Sequence, residues 1–282
     1  MKAIKEFEMY WEEALNSLYP KREIKSLFHL TLEDVLGISK TMLLSNPDLN
    51  FSLDASAQLN RVLERLKLGE PYQYIVGFTY FDELEIKVDP GVLIPRPETE
   101  ELVHWVLDSI HSENKGTIID WCTGSGCIAL AIKHHLKNWE VHGIDVSLDA
   151  LKIAKLNSHS LNLSVEWHED SALQPSFHQK ADVIVSNPPY IPFVDKAEMH
   201  QNVLKFEPEL ALFVPDTDPL LFYKAIADYA MKNLNDKGLL FFELHERFAL
   251  ETKSMLEERG FNQIEIKLDL QGKQRMLKAH IG

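Results

Sequence analysis

The tetrapeptide Asn187-Pro188-Pro189-Tyr190 carries the strongest chemical signal in the chain. Each proline fixes its own φ and pushes the residue before it towards extended backbone, so Asn187 and Pro188 are both stiff. The Asn187 side-chain oxygen and the Pro188 carbonyl are acceptors. Converging on one point, they hold the two hydrogens of an NH2 group, and the Tyr190 ring stacks on the flat group that bears it. An amide nitrogen is a poor nucleophile because its lone pair is delocalised. Two acceptors on its protons raise the electron density on nitrogen and aim it at an electrophilic carbon. Orientation of this kind lowers a barrier by about 7–11 kcal/mol at the limit. Standing alone, the same four residues would be a rigid strand exit.

A second constellation is the glycine loop Asp120-Trp121-Cys122-Thr123-Gly124-Ser125-Gly126-Cys127-Ile128-Ala129. It satisfies the dinucleotide fingerprint G-x-G-x-x-G/A. Asp120, just before the loop, argues against a pyrophosphate, which it would repel. It favours a sulfonium ligand with an ammonium group, such as S-adenosylmethionine. Asp145 ends the next strand, where a carboxylate accepts hydrogen bonds from ribose hydroxyls. Asp170, with Ser171 after it, follows the third strand. It could meet an adenine amino group, although an isolated aspartate there is more often a cap. Candidate cofactor-binding residues are therefore Asp120, Cys122, Thr123, Gly124, Ser125, Gly126, Asp145, Asp170, Ser171 and Asn187. Candidate catalytic residues are Asn187, Pro188, Pro189 and Tyr190. Cys122 and Cys127 match no metal or redox spacing, and no metal site is expected.

The elements that position these residues follow from periodicity. Strands are expected at 117–121, 140–145, 164–167, 182–187, 238–243, 263–268 and 275–281, with helices such as 148–158, 220–233 and 246–260 between them. Alternation of this kind predicts an α/β fold: a Rossmann-like, seven-stranded, mostly parallel sheet. The last connection is too short for a crossover helix, so the final strand should be antiparallel. Upstream lies a small all-α region, residues 1–69. Phe7, Tyr10, Trp11 and Leu15 share one helix face, Ile24, Leu27, Phe28 and Leu30 a second, and Leu59, Val62, Leu63 and Leu66 a third. Gly37 and Gly69 serve as stops and Asp54 as a cap. Residues 70–92 read as a β-hairpin connector, with strands at 73–81 and 84–88, and 93–282 as the main domain.

The chain has 282 residues, 45% hydrophobic, and a formal net charge of −14. That length and apolar content favour two domains of unequal size. A field of this sign repels polyanions, so no direct nucleic-acid partner is expected. No apolar run is long enough for a signal peptide or a membrane span, and a cytoplasmic protein is expected.

These motifs together resemble the protein-(glutamine-N5) methyltransferases of peptide chain release factors, the HemK or PrmC family. The resemblance covers nearly the whole chain. Besides Asn187-Pro188-Pro189-Tyr190 it rests on Gly69–Gly77, on Leu93-Ile94-Pro95-Arg96-Pro97-Glu98-Thr99-Glu100, on Glu207-Pro208 with Ala211-Leu212-Phe213, and on Gly272-Lys273-Gln274-Arg275. It implies a helical substrate-recognition domain at 1–69, S-adenosyl-L-methionine as cofactor, and class 1 release factors as partner. The implied target is the glutamine of their Gly-Gly-Gln loop. Two positions depart from the family pattern: Cys122 stands where glycine is usual, and Phe242-Glu243-Leu244-His245 replaces a Phe-Glu-Ile-Gly ending.

Three rival readings remain. An N6-adenine methyltransferase of DNA or RNA uses the same cradle, and the net charge opposes it. A glutamine methyltransferase of a ribosomal protein is a closer neighbour. A non-catalytic adapter would be expected to have lost the cradle or Asp145, and both are intact.

Overall fold

The computed structural model describes residues 4–46, 49–110 and 115–282. They fall into two compact units: the residues up to Gly77 with His200–Phe206, and Phe78–Met199 with Glu207–Gly282. Among the described residues no helix is long and apolar enough to cross a membrane.

The first unit is helical: α1 (Ile4–Leu15), α2 (Lys21–Leu36), α3 (Lys40–Ser45), α4 (Leu53–Lys67) and α5 (Tyr72–Val76). Apolar residues at i, i+3, i+4 and i+7 give each long helix one buried stripe. Phe7, Trp11 and Leu15 of α1 meet Ile24, Leu27, Phe28 and Leu32 of α2 and Leu59, Val62, Leu63 and Leu66 of α4. The Trp11 and Phe28 rings stand edge to face, 5.3 Å apart. Gly37 ends α2 at φ +67°, as expected.

Four local expectations need correction. Tyr10 and Leu30 are exposed, and Leu32 takes the core position. Ser52, not Asp54, caps α4 by accepting from the Ala55 N–H; the Asp54 carboxylate takes Gln58 Nε2 instead. Residues 72–76 form a helix where a strand is expected. The reason is tertiary. The Arg65 guanidinium donates to Glu70 and to the carbonyls of Tyr74 and Ile75, satisfying acceptors that a short helix leaves open at its end.

The second unit opens with the hairpin β1 (Phe78–Phe81) and β2 (Leu84–Lys87), shorter than expected, with Asp82 and Glu83 at positive φ in the turn. Then come α6 (Pro97–Ser109), β3 (Thr117–Trp121), α7 (Cys127–His135), β4 (Glu140–Asp145), α8 (Leu148–Leu161), β5 (Glu166–Glu169) and β6 (Ala181–Ser186). A two-residue strand β7 (Ile191–Pro192) follows. The chain passes through α9 (Gln201–Phe206) of the first unit and returns as β8 (Phe213–Val214), α10 (Leu221–Asn233), β9 (Leu234–Glu243), α11 (Ala249–Glu258), β10 (Asn262–Leu268) and β11 (Gln274–His280).

The seven-stranded sheet has the order β10-β11-β9-β6-β3-β4-β5. The last strand β11 is antiparallel to both its neighbours, as the short connection requires. From β3 the chain winds one way through β4 and β5, then returns to β6 on the other side. The order therefore reverses at the β3/β6 pair, and a ligand crevice belongs at the carboxyl ends of those strands. Both motifs lie there.

Candidate active site

β6 lies between β3 and β9, and its last residue is tied down: the Ser186 hydroxyl donates to the Trp121 carbonyl at 2.6 Å. Beyond it, two side chains from distant elements, Thr99 and Glu243, hold the Asn187 tetrapeptide. The Thr99 hydroxyl of α6 donates to Glu243 Oε2 at 2.6 Å, and the Tyr190 hydroxyl donates to Glu243 Oε1 at 3.0 Å. Asn187 Nδ2 donates to Thr99 Oγ1 at 3.2 Å. This chain of bonds fixes which way the Asn187 amide faces. Thr99 has spent its one proton on the carboxylate, so it can only accept, and Asn187 must present its NH2 to it. The Asn187 oxygen is then left free as an acceptor. Glu243 ends β9 and is buried. Burial raises its pKa, while the two hydroxyls and the Arg275 charge pull it back.

The glycine loop is held by backbone. The Thr123 N–H donates to the Ile144 carbonyl at 3.0 Å, and the Gly126 N–H to the Thr123 carbonyl at 2.8 Å. The Asp145 carboxylate accepts from the Gly124 N–H at 2.8 Å and from the Ser147 N–H at 2.9 Å. Each of its oxygens keeps a lone pair for a ligand hydroxyl. Burial raises the Asp145 pKa. Cys122 adopts φ +61°, the left-handed region that favours glycine. The turn therefore keeps its shape with a cysteine in it, at a strain of about 1–2 kcal/mol. Gly143 of β4 cannot be replaced so easily: a Cβ there would lie 2.3 Å from the Trp167 ring.

Cys122, Gly124, Asp145, Asp170, Ser171, Asn187 and Pro189 line one cleft, whose apolar wall includes Val92, Leu93, Val146, Leu210 and Phe222. Thr123 and Ser125 line an adjoining pocket with Arg96, Thr99 and Asn187. Gly126, Pro188 and Tyr190 lie outside the cleft wall, and Tyr190 instead meets His245 edge to face at 5.9 Å. Asp120 is fully buried beneath the loop. One of its oxygens accepts from the Thr123 hydroxyl and the other, Oδ1, has no hydrogen-bond partner. Burial pushes its pKa up to about 7. Asp170 lines the cleft, but its carboxylate is occupied by the N–H groups of Ser171, Ser176 and Phe177 and the Ser176 hydroxyl. Burial works against its charge, and those N–H groups outweigh it and lower the pKa. Its visible role is to shape the loop from Ser171 to Phe177.

Sequence reasoning took the arm from Arg96 to Glu100 as a weaker addition to the cofactor site and missed Glu243, the pairing of Thr99 with Glu243 and Asn187, and that of Arg96 with Glu207, which also accepts from the Ile94 N–H at 3.3 Å and pins the arm before α6. Arg96, Thr99 and Glu207 stand in motifs that carried the resemblance, and Glu243 in the segment that departs from it. Their separations, 88 residues for Asn187 to Thr99 and 144 for Thr99 to Glu243, hide the contacts.

Residues 86–206 match the methyltransferase small domain and residues 10–77 the PrmC N-terminal domain. The release factor glutamine methyltransferase of Flavobacterium psychrophilum is 40% identical over 281 residues, covering 98% of this chain and 99% of the relative. That of Bacteroides thetaiotaomicron is 38% identical, covering 96% and 98%. The chain belongs to the release factor glutamine methyltransferase family. It is an enzyme with a methyltransferase fold. Among solved structures, the T. thermophilus 16S rRNA N2 G1207 methyltransferase in complex with AdoMet and guanosine is similar at a TM-score of 0.52 and 18% identity, over 73% of this chain and 50% of that one. A likeness at that identity reflects shared fold. The two positions expected to depart from the family pattern, Cys122 and His245, keep ordered local paths. The His245 N–H donates to the Tyr223 hydroxyl, which itself donates to the Glu243 carbonyl, so the path after β9 is held by its own bonds.

Proposed function

We propose that this enzyme methylates the side-chain amide nitrogen of a glutamine, that of the Gly-Gly-Gln motif of class 1 peptide chain release factors, using S-adenosyl-L-methionine. The observation that carries the reading is the bond chain Glu243–Thr99–Asn187, which leaves the Asn187 oxygen free as an acceptor. That oxygen faces the cleft and takes one proton of the target NH2 group; the neighbouring Pro188 carbonyl, set behind the cleft wall here, takes the other when the substrate is seated. Tyr190, outside the cleft wall and braced on Glu243, holds the tetrapeptide in that orientation. These residues orient the nitrogen and need not remove a proton before transfer.

The cleft residues suit the cofactor. The Asp145 oxygens can accept from two ribose hydroxyls, and Val146 and Phe222 offer apolar surface to a flat base. Asp120 lies buried behind the loop with its pKa raised by burial, and a sulfonium and an ammonium in the cleft would favour its ionised form. When bound, the cofactor supplies the electrophilic methyl group. The helical unit, residues 1–69 in our reading, grips the release factor away from the target loop, and such remote contacts help hold the glutamine in line. The segment 70–92 connects it to the methyltransferase domain at 93–282.

The test is incubation of the full enzyme with methyl-labelled S-adenosylmethionine and either a folded release factor, an isolated Gly-Gly-Gln peptide, DNA or RNA. Peptide mapping should place the label on that glutamine. The folded factor should be a much better substrate than the peptide. Label on adenine N6 with none on the factor would overturn the reading.

A further inference from the structure

A cluster of donor atoms that the methyl-transfer site does not use lies at the β5 edge of the sheet. His142 of β4 stands in register with Glu166 of β5, and His168 follows two residues later, on the same face of its strand. His142 Nδ1 lies 3.0 Å from His168 Nε2 and 3.6 Å from Glu166 Oε2, and the last two atoms are 4.0 Å apart. We propose that His142, Glu166 and His168 bind a divalent transition-metal ion, zinc in the first place.

The geometry supplies the case. A triangle of those sides has its in-plane equidistant point about 2.1 Å from every corner, within the zinc–imidazole and zinc–carboxylate range of about 2.0–2.2 Å, and a small shift of the more exposed Glu166 and His168 side chains lets an ion sit out of that plane in a tetrahedral arrangement. Two imidazoles and one carboxylate select zinc and its neighbours over calcium or magnesium, which take oxygen ligands. The surroundings also fit. Glu140 Oε1 lies 3.2 Å from His142 Nε2. His142 Nε2 makes no hydrogen bond, but a negative charge that close favours a proton on Nε2, which leaves the Nδ1 lone pair facing the other two ligands. The Phe177 ring, 4.4 Å from the His168 ring and 5.6 Å from that of His142, covers one side. The His142 side chain is 4% exposed, that of His168 30% and that of Glu166 62%. The site is thus anchored in the core and open outward, where an ion can enter and a water can complete four-coordination.

Without an ion, the 3.0 Å contact between the two rings is a single N–H···N bond, and the Glu166 carboxylate has no fixed partner in it. With an ion, three bonds join β4 to the four-residue edge strand β5 and steady the start of the loop that carries Asp170. The binding is independent of methyl transfer and of the release-factor reading.

The experiment uses the full-length, untagged chain, stripped with chelator and titrated with Zn(II) alone. One equivalent should bind. Co(II) in its place should give the visible bands of four-coordinate nitrogen and oxygen ligation. The thermal midpoint should rise by about 4–8 °C at a hundredfold excess over Kd. Glu166→Gln and His168→Ala should each weaken binding at least about tenfold, since even outer-shell losses at such sites cost about 10–100-fold. Glu166 is exposed enough that its variant should fold normally. No bound equivalent in the parent chain overturns the proposal. So does unchanged affinity in both variants, because the zinc would then sit elsewhere.

Discussion

The exits of β3 and β6 are neighbours in the sheet, yet the chain fixes them by opposite means. After β3, the loop takes its shape from backbone: left-handed turns, N–H groups donated to carbonyls, and the Asp145 carboxylate gripping the Gly124 N–H. It tolerates cysteine at φ +61°. After β6, two prolines stiffen the path, and side chains from α6 and β9 set the orientation of Asn187 and Tyr190. Backbone geometry suits a ligand recognised mainly by its shape and its ribose. A buried side-chain network suits a reacting atom whose hydrogen-bonding direction must be specified. The backbone-built exit should therefore respond to mutation in affinity, and the side-chain-built exit in turnover.

Asn187→Ala is the sharpest way to test that division. Losing one positioned group should lower kcat by about 10²–10³. Calorimetry should find S-adenosylmethionine affinity nearly unchanged. A large affinity loss would mean that the β6 exit is built for the cofactor. Asp145→Ala should do the reverse. It removes acceptors for the ligand and the clamp on Gly124, weakening cofactor binding by roughly 1.5–3 kcal/mol. Unchanged affinity in a folded variant would take Asp145 out of the site. Cys122→Gly should have the smallest effect. It relieves the left-handed strain but gives the unfolded chain more freedom, for a net gain of about 0.5–1 kcal/mol. Thermal denaturation should show a small rise in midpoint with cofactor affinity intact. A clear fall would mean that the cysteine side chain contributes packing the loop depends on.

The sheet was legible because short apolar runs, buried on both faces, alternate with period-3.6 helices after residue 117, and the short link before Arg275 forces the antiparallel last strand. The Asn187 cradle and the Asp145 strand end were legible because each is a local motif. Local propensity misled at residues 72–76, where Tyr74, Ile75 and Val76 favour a strand and Arg65 imposes a helix end. It misled again at Asp54, because Ser52 two residues earlier takes the cap. Asp170 was read both as a possible ligand contact and as a cap; it lines the cleft, and its four bonds stay within its own loop. Thr99 and Glu243 could not be paired with Asn187 and Tyr190 without the fold, because α6, β6 and β9 meet only once the sheet has formed. The His142, Glu166 and His168 cluster was missed for a similar reason: its register comes from the parallel pairing of β4 with β5.

The central claim is that Thr99 acts through Asn187 by dictating the direction of its amide. A double-mutant cycle in kcat, with a folded release factor and saturating S-adenosylmethionine, tests it most directly. Thr99→Ala alone should lower kcat clearly while cofactor affinity holds. In an Asn187→Ala background the same change should cost almost nothing further, because there is no amide left to orient. Fully additive losses, or near-wild-type turnover in Thr99→Ala, would contradict the account.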